Sequence, residues 1–401
     1  MARPHRWLTE VALCAALAVA SLTGCGAPPS QVPSQTVATV VAGPGQTAPR
    51  SAVPWRLIGP GWALAEDAAT SANPSQKVSG SVILYLIDPQ RGRYRLFSWP
   101  AKGAAPYGDL IDWSGDSQRA LFTYGGSDKH PRMRVEQLNL RTGKFTGFTF
   151  RAASLIPVGY SRPDGKEILV DKVSASATGD DALVLYSLGG QAQKTVWRAP
   201  GIDNVVYSPG GQELVTDSYG SMVLLSSAGR VIRHLYSPQL CDVVRWWNSV
   251  TILADCAPHD SSADRMWLIP LSGAKGTPLT PQRQDLAGED EGDSDLYQLS
   301  SGTYLNAQGP HCGNNIVVRQ EPHGKVRAYV IRGEPEATIV SATATRLLLQ
   351  EDQGCSGALA PFPQILAWFN PVSRKQTVVV PVSREDAGVL AVIPYYQNGE
   401  F

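Results

Sequence analysis

Carboxylates and thiols are the side chains in this sequence whose spacing invites chemistry. Glu289-Asp290-Glu291-Gly292-Asp293-Ser294-Asp295 sets five carboxylates within seven residues. Acids of this kind can wrap a calcium ion, but the glycine falls outside the position where a twelve-residue calcium loop turns. The stretch therefore reads as a solvated candidate binding loop, and neither a metal nor any other cofactor is expected. Cys241, Cys256, Cys312 and Cys355 lie in the body of the chain, with His259 and His311 close by in sequence. A zinc site wants paired C-x-x-C ligands, and this spacing lacks them. The six histidines are scattered, none at i, i+4 spacing or beside a serine and an aspartate suited to nucleophilic attack. No G-x-S-x-G elbow and no glycine-rich phosphate loop occurs, so no catalytic residue is assigned. Asp109, Asp112 and Asp203 read as turn caps or partners of neighbouring backbone.

The elements that must position these groups are strands. Val158-Gly159-Tyr160-Ser161-Arg162-Pro163-Asp164-Gly165 leads from an apolar run through a Pro-Asp-Gly turn into Ile168-Leu169-Val170, the pattern of a tight β-hairpin. Variants surround Ser114 and Ser208, and the three serines are spaced 47 residues apart. A repeat of that size built from strands alone predicts propeller blades. The inner a–b turns, from Gly59-Pro60-Gly61 to Ala344-Thr345, number seven, and so do the outer c–d hairpins. The fold class expected is all-β: a seven-bladed β-propeller of four-stranded antiparallel blades over residues 53–401. The terminal run Val389 to Pro394 lies beyond the last blade and is expected to pair near Trp62-Ala63-Leu64, closing the ring.

Residues 1–24 carry Arg3 and Arg6 ahead of an apolar run from Val11 to Ala20, too short to span a bilayer and shaped as a secretory signal. The run ends in Leu22-Thr23-Gly24-Cys25, which resembles a bacterial lipobox. That resemblance implies cleavage before Cys25, lipidation of its sulfur, and a site on the outer face of a bacterial cell membrane. Residues 25–52, with Pro28, Pro29, Pro33, Pro44 and Pro49, read as a disordered linker. Lysine plus arginine and aspartate plus glutamate both total 35, so no global field points to nucleic acid.

Outside the membrane the four remaining cysteines are expected as disulfides. Cys241 and Cys256 are centred on the Trp247-Asn248-Ser249 turn and so face one another across strands a and b, while Cys312 and Cys355 occupy equivalent places in adjacent blades. The expected pairs are Cys241–Cys256 and Cys312–Cys355. In a meander the a–b and c–d turns share one end of the disc, and here they are tight. The long b–c and d–a connections share the other, which is the expected binding face.

The turn motifs resemble TolB-type, WD40-like propeller repeats, whose signature is an aromatic, Ser-Pro-Asp-Gly and an apolar strand. Leu22 to Cys25, Gly61-Trp62-Ala63-Leu64-Ala65, Val244-Arg245-Trp246-Trp247 and Cys312-Gly313 also resemble an uncharacterised family of actinobacterial propeller lipoproteins. The resemblance implies no known activity. The expected function is a non-enzymatic binding or scaffold module for a protein or cell-envelope polymer. The alternative is a hydrolase or lyase of cell-surface carbohydrate at the channel mouth, which facing acids would favour and an apolar plug would disfavour.

Overall fold

The computed structural model describes residues 42–395 apart from 70–80, 91, 101–108, 128–129, 153, 177–178, 238–239, 258–263, 282–291, 309–314, 322–325, 329–336, 353–363 and 382–386. Its strands form seven antiparallel sheets, one per blade, and each blade keeps the order a-b-c-d. The a and b strands are Ala387–Pro394 and Ala63–Ala69 in blade 1, Asp109–Trp113 and Arg119–Ser127 in blade 2, and Leu155–Tyr160 and Glu167–Lys172 in blade 3. They are Ile202–Tyr207 and Glu213–Ser218 in blade 4, and Leu240–Asn248 and Thr251–Ala257 in blade 5. Asp293–Leu299 and Gly302–Gln308 serve blade 6, and Ala337–Thr343 and Arg346–Asp352 serve blade 7.

A single blade has two apolar faces and no partner of its own, so the core is divided among the seams. Each of the seven seams holds its own buried cluster. Val215, Leu224, Val243, Trp246 and Ile252 join blades 4 and 5. Ala63, Ile87, Leu348 and Trp368 join blades 7 and 1. Tight turns let the blades approach. Gly211 holds φ +69° in the a–b turn of blade 4, where an added Cβ would come within 2.0 Å of the Arg162 carbonyl oxygen in blade 3.

Ring closure follows the sequence expectation. The C-terminal strand pairs with the first b strand, Ala63 opposite Pro394 and Leu64 opposite Ile393. One consequence corrects the turn assignment: Gly59-Pro60-Gly61 precedes strand b of blade 1, because its a strand comes from the other end of the chain. A second correction concerns the linker. Thr47–Pro49 adds a fifth strand, parallel to the outermost strand of blade 1, Arg93–Pro100. Ala42 and Ala48 are buried, and a short 3-10 turn, Arg50–Ala52, follows. Proline blocks a central strand but is tolerated on a sheet edge, so Pro49 did not exclude this pairing.

Candidate binding site at the two ends of the channel

Every a strand carries a bulge where it pairs with strand b. The register shifts between Leu110 and Asp112, Gly159 and Pro157, Ile202 and Val205, Val243 and Arg245, Asp293 and Asp295, Ile339 and Ser341, and Ala391 and Val389. Seven strands crowd one axis, and a bulge adds the local twist that lets each bend around it. It also disturbs the ladder, and the residue just before the bulge takes a partner from the neighbouring blade. Leu110 N–H donates to Glu66 at 3.2 Å, Ile202 N–H to Asp181 at 3.2 Å, Val243 N–H to Asp217 at 2.7 Å, and Ile339 N–H to Asn306 at 2.7 Å. Gln350 Nε2 donates to the Val389 carbonyl at 3.1 Å. The two remaining seams are joined by other polar contacts. Asp112 accepts from Tyr160 N–H at 2.6 Å, and Arg245 pairs with Asp295 at 2.8 Å.

Strand a begins, and strand b ends, at the loop-bearing end of the disc, and that is where the acids gather. Asp203, Asp217 and Asp242, from blades 4 and 5, place carboxylate oxygens within 4.8 Å of one another. Asp203 and Asp242 are exposed and Asp217 is buried. Both Asp217 oxygens are occupied: one accepts Asn204 N–H at 2.6 Å, the other Val243 N–H and the Asn204 amide. The other two carboxylates offer at most four oxygens, fewer than the six to eight calcium takes.

Burial pushes the Asp255 carboxyl up to about 8, aided by the charges of Asp264, Asp242, Asp293 and Asp295. Burial pushes Asp171 up to about 6, with Asp181 and Asp203 adding to it. Asp242 is raised by burial and by Asp203. Near blades 1 and 2, burial raises Glu66 to about 8 against the opposing Leu110 N–H, and the Asp109 charge adds to it. Asp67 is raised to about 6 by burial, which the nearby Arg93 opposes. Each of these groups gains by the arrival of positive charge.

The turn-bearing end is different. A cavity of about 270 Å³ there is walled by Val206, Val244, Val340, Ile393, Trp246 and Tyr395. Its two arginines are engaged: Arg162 makes a two-pronged pair with Asp112 at 2.7 and 3.1 Å, and Arg245 lies 4.9 Å over the Tyr297 ring. The Ser341 hydroxyl lines the same cavity, buried and without a hydrogen-bond partner among the described residues. This end of the channel is a mostly apolar cavity whose charged groups are already paired.

The residues singled out from sequence divide between these places. Cys241 and Cys256 are paired in register with sulfurs 2.08 Å apart, both buried at the loop-bearing end of blade 5. Cys25, Cys312, Cys355, Glu289, Asp290 and Glu291 lie outside the described residues. Asp293 and Asp295 are corrected: they belong to strand a of blade 6, not to a solvated loop. Asp293 is buried as the first residue of that strand, and Asp295 is held by Arg245 across the seam between blades 5 and 6. Asp112 bonds neighbouring backbone, as read. Sequence reasoning passed over Asp171, Asp217 and Asp255, although all three sit near the end of a b strand after a short run (Leu169-Val170, Val215-Thr216, Leu253-Ala254), a recurrence that could have marked them.

Neither a family model nor a curated protein sequence matches the chain. Solved structures are similar in fold. An acylaminoacyl peptidase from Pyrococcus horikoshii shares 10% identity at a TM-score of 0.52, over 84% of this chain and 52% of that one. The β-propeller domain of the Trilobed protease from Pyrococcus furiosus, described as having an open velcro topology, shares 9% at 0.51, over 82% and 97%. TolB from Acinetobacter baumannii shares 18% at 0.42, over 82% and 66%. The chain spans about half the length of the acylaminoacyl peptidase. The first two likenesses are of fold alone, and the ring here is closed by its C-terminal strand.

Proposed function

We propose that this protein is a lipid-anchored binding module on the outer face of a bacterial cell membrane, and that it receives a cationic group of a protein or envelope polymer at the loop-bearing end of the disc. The observation that carries this reading is the group Asp203, Asp217 and Asp242, ringed by Asp171 and Asp255 with raised pKa values. Carboxylates held this close repel one another, and a guanidinium or ammonium between them relieves the repulsion while filling their lone pairs. The cavity at the other end is mostly apolar and its arginines are already engaged, which supports recognition of a cation at the loop end. Cross-linking with mass spectrometry in intact cells tests it. A reproducible partner linked near the loop-bearing ends of blades 4 and 5, and lost in Asp203→Asn/Asp242→Asn, is the expected result. Partners linked only to the turn-bearing end would overturn it.

A second reading rests on the same pair. Close carboxyls, with oxygens within 4.8 Å and one of them raised in pKa, are of the kind a retaining glycoside hydrolase uses, with Asp242 as acid and Asp203 as nucleophile. Turnover of an envelope polysaccharide by the purified protein, abolished in Asp242→Asn, would reverse the ranking.

A further inference from the structure

At the turn-bearing end, the segment after the fifth strand of blade 1 crosses onto blade 2 and builds a surface of opposite character. Trp55 and Ile58 are half-buried against the seam between these blades, while Leu57 stands out, 71% exposed. Arg141, from the c–d turn of blade 2, lies 5.5 Å over the Trp55 ring, and Arg50 lies 4.6 Å over Phe97. Pro49, Arg50, Trp55, Phe97 and Arg141 line one open groove there, and Arg56 and Lys144 are exposed nearby in sequence. Among the described residues none of these four cations is ion-paired. The neighbouring acids are already engaged: Asp88 accepts Gln90 and Gly92 N–H, and Asp116 accepts Ser114, Gln118 and Arg119.

We infer that this patch is the face the disc lays against an anionic lipid surface. Arginines stacked on aromatics beside an exposed leucine match the headgroup layer, where amphipathic rings settle and cations meet lipid phosphate. Position argues the same way. The described chain begins at Ala42, only seventeen residues after Cys25, a reach of at most about 60 Å. It enters the fold through Thr47–Pro49, directly beside the patch. The acids at the loop-bearing end lie across a strand of six or seven residues, roughly 20 Å away, so an anionic surface attracts one end and repels the other. The inference rests on the proposed anchor for its address and on the patch alone for its geometry.

Hydroxyl-radical footprinting of the full lipidated protein tests it, on vesicles of pure phosphatidylcholine and on vesicles with phosphatidylglycerol at about three lipids in ten. Each cation near an anionic surface adds roughly a fivefold preference. Oxidation of Leu57 and Trp55 is expected to fall several-fold on the anionic vesicles only. In Arg56→Glu/Lys144→Glu, two exposed positions outside the Trp55 and Phe97 stacks, it is expected to recover, with the melting temperature measured alongside. Equal oxidation on both vesicles, or protection at the loop-bearing end instead, would overturn it. Retention on the neutral vesicles after washing reads the anchor separately: protein that washes off them yet still protects Leu57 on the anionic ones removes the anchor and supports the lipid-facing patch.

Discussion

Asp217 and Val243 sit in different blades, and the carboxylate of the first accepts the backbone N–H of the second at 2.7 Å. The same relationship joins Glu66 to Leu110 and Asn306 to Ile339, in each case at the residue before a bulge. The bulge needed to bend an inner strand creates a backbone group in want of a partner, and the next blade supplies it. Bending and ring closure are thus one device.

Asp217→Ala leaves the buried N–H of Val243 without an acceptor, for which the expected loss is about 1–3 kcal/mol, while the exposed Asn204 N–H can turn to water. Asp217→Asn keeps an acceptor oxygen and is expected to lose clearly less. Urea midpoints of the two variants against the parent decide this; equal losses would mean that packing, not the clasp, is at stake.

Stability is expected to fall as pH rises from about 4.5 to about 8. Glu66 has an ordinary value of 4.5 and a folded value of about 8, and Asp255 is raised to about 8 as well. Across that window the folded state holds protons that the unfolded chain has released, so folding takes up protons and weakens as they become scarce. Melting temperature against pH measures the slope. Glu66→Gln is expected to flatten it, and an unchanged slope would remove Glu66 from the account.

Cys241 and Cys256 close a stretch with a sequence separation of 15, for which chain entropy alone gives a stabilisation of about 3 kcal/mol. The double change to serine is expected to approach but not exceed that loss, because the hairpin register already holds the two strands together. Denaturation of the variant, and of the parent with and without reductant, checks it.

Removing residues 388–401 deletes nearly all of strand a of blade 1 and exposes Leu64 and the seams on both of its sides. The expected product is aggregated or melts far below the parent. A truncated chain with unchanged melting would show that the ring does not depend on this closure.

Much of the architecture was legible because it is local. Pro-Asp-Gly turns, alternating apolar strands and a 47-residue serine spacing set the number and kind of blades, and the centring of Cys241 and Cys256 on one turn set their register. The leftover run at Val389 to Pro394 had apolar faces that only an unpaired b strand could cover. The strap at Thr47–Pro49 escaped because three residues on a sheet edge leave no period to read. The acids escaped for a stronger reason. Asp171, Asp217 and Asp255 look alike in sequence, each near the end of a b strand, yet Asp217 clasps the next blade while burial and neighbouring acids push the Asp255 carboxyl up to about 8. What separates them is the donor the next blade presents: Val243 N–H turns to Asp217, whereas Asp293 N–H, at the equivalent bulge, is taken by the Asp264 carbonyl, and no single strand carries what its neighbour offers. Repeat and register belong to the chain; convergence belongs to the ring.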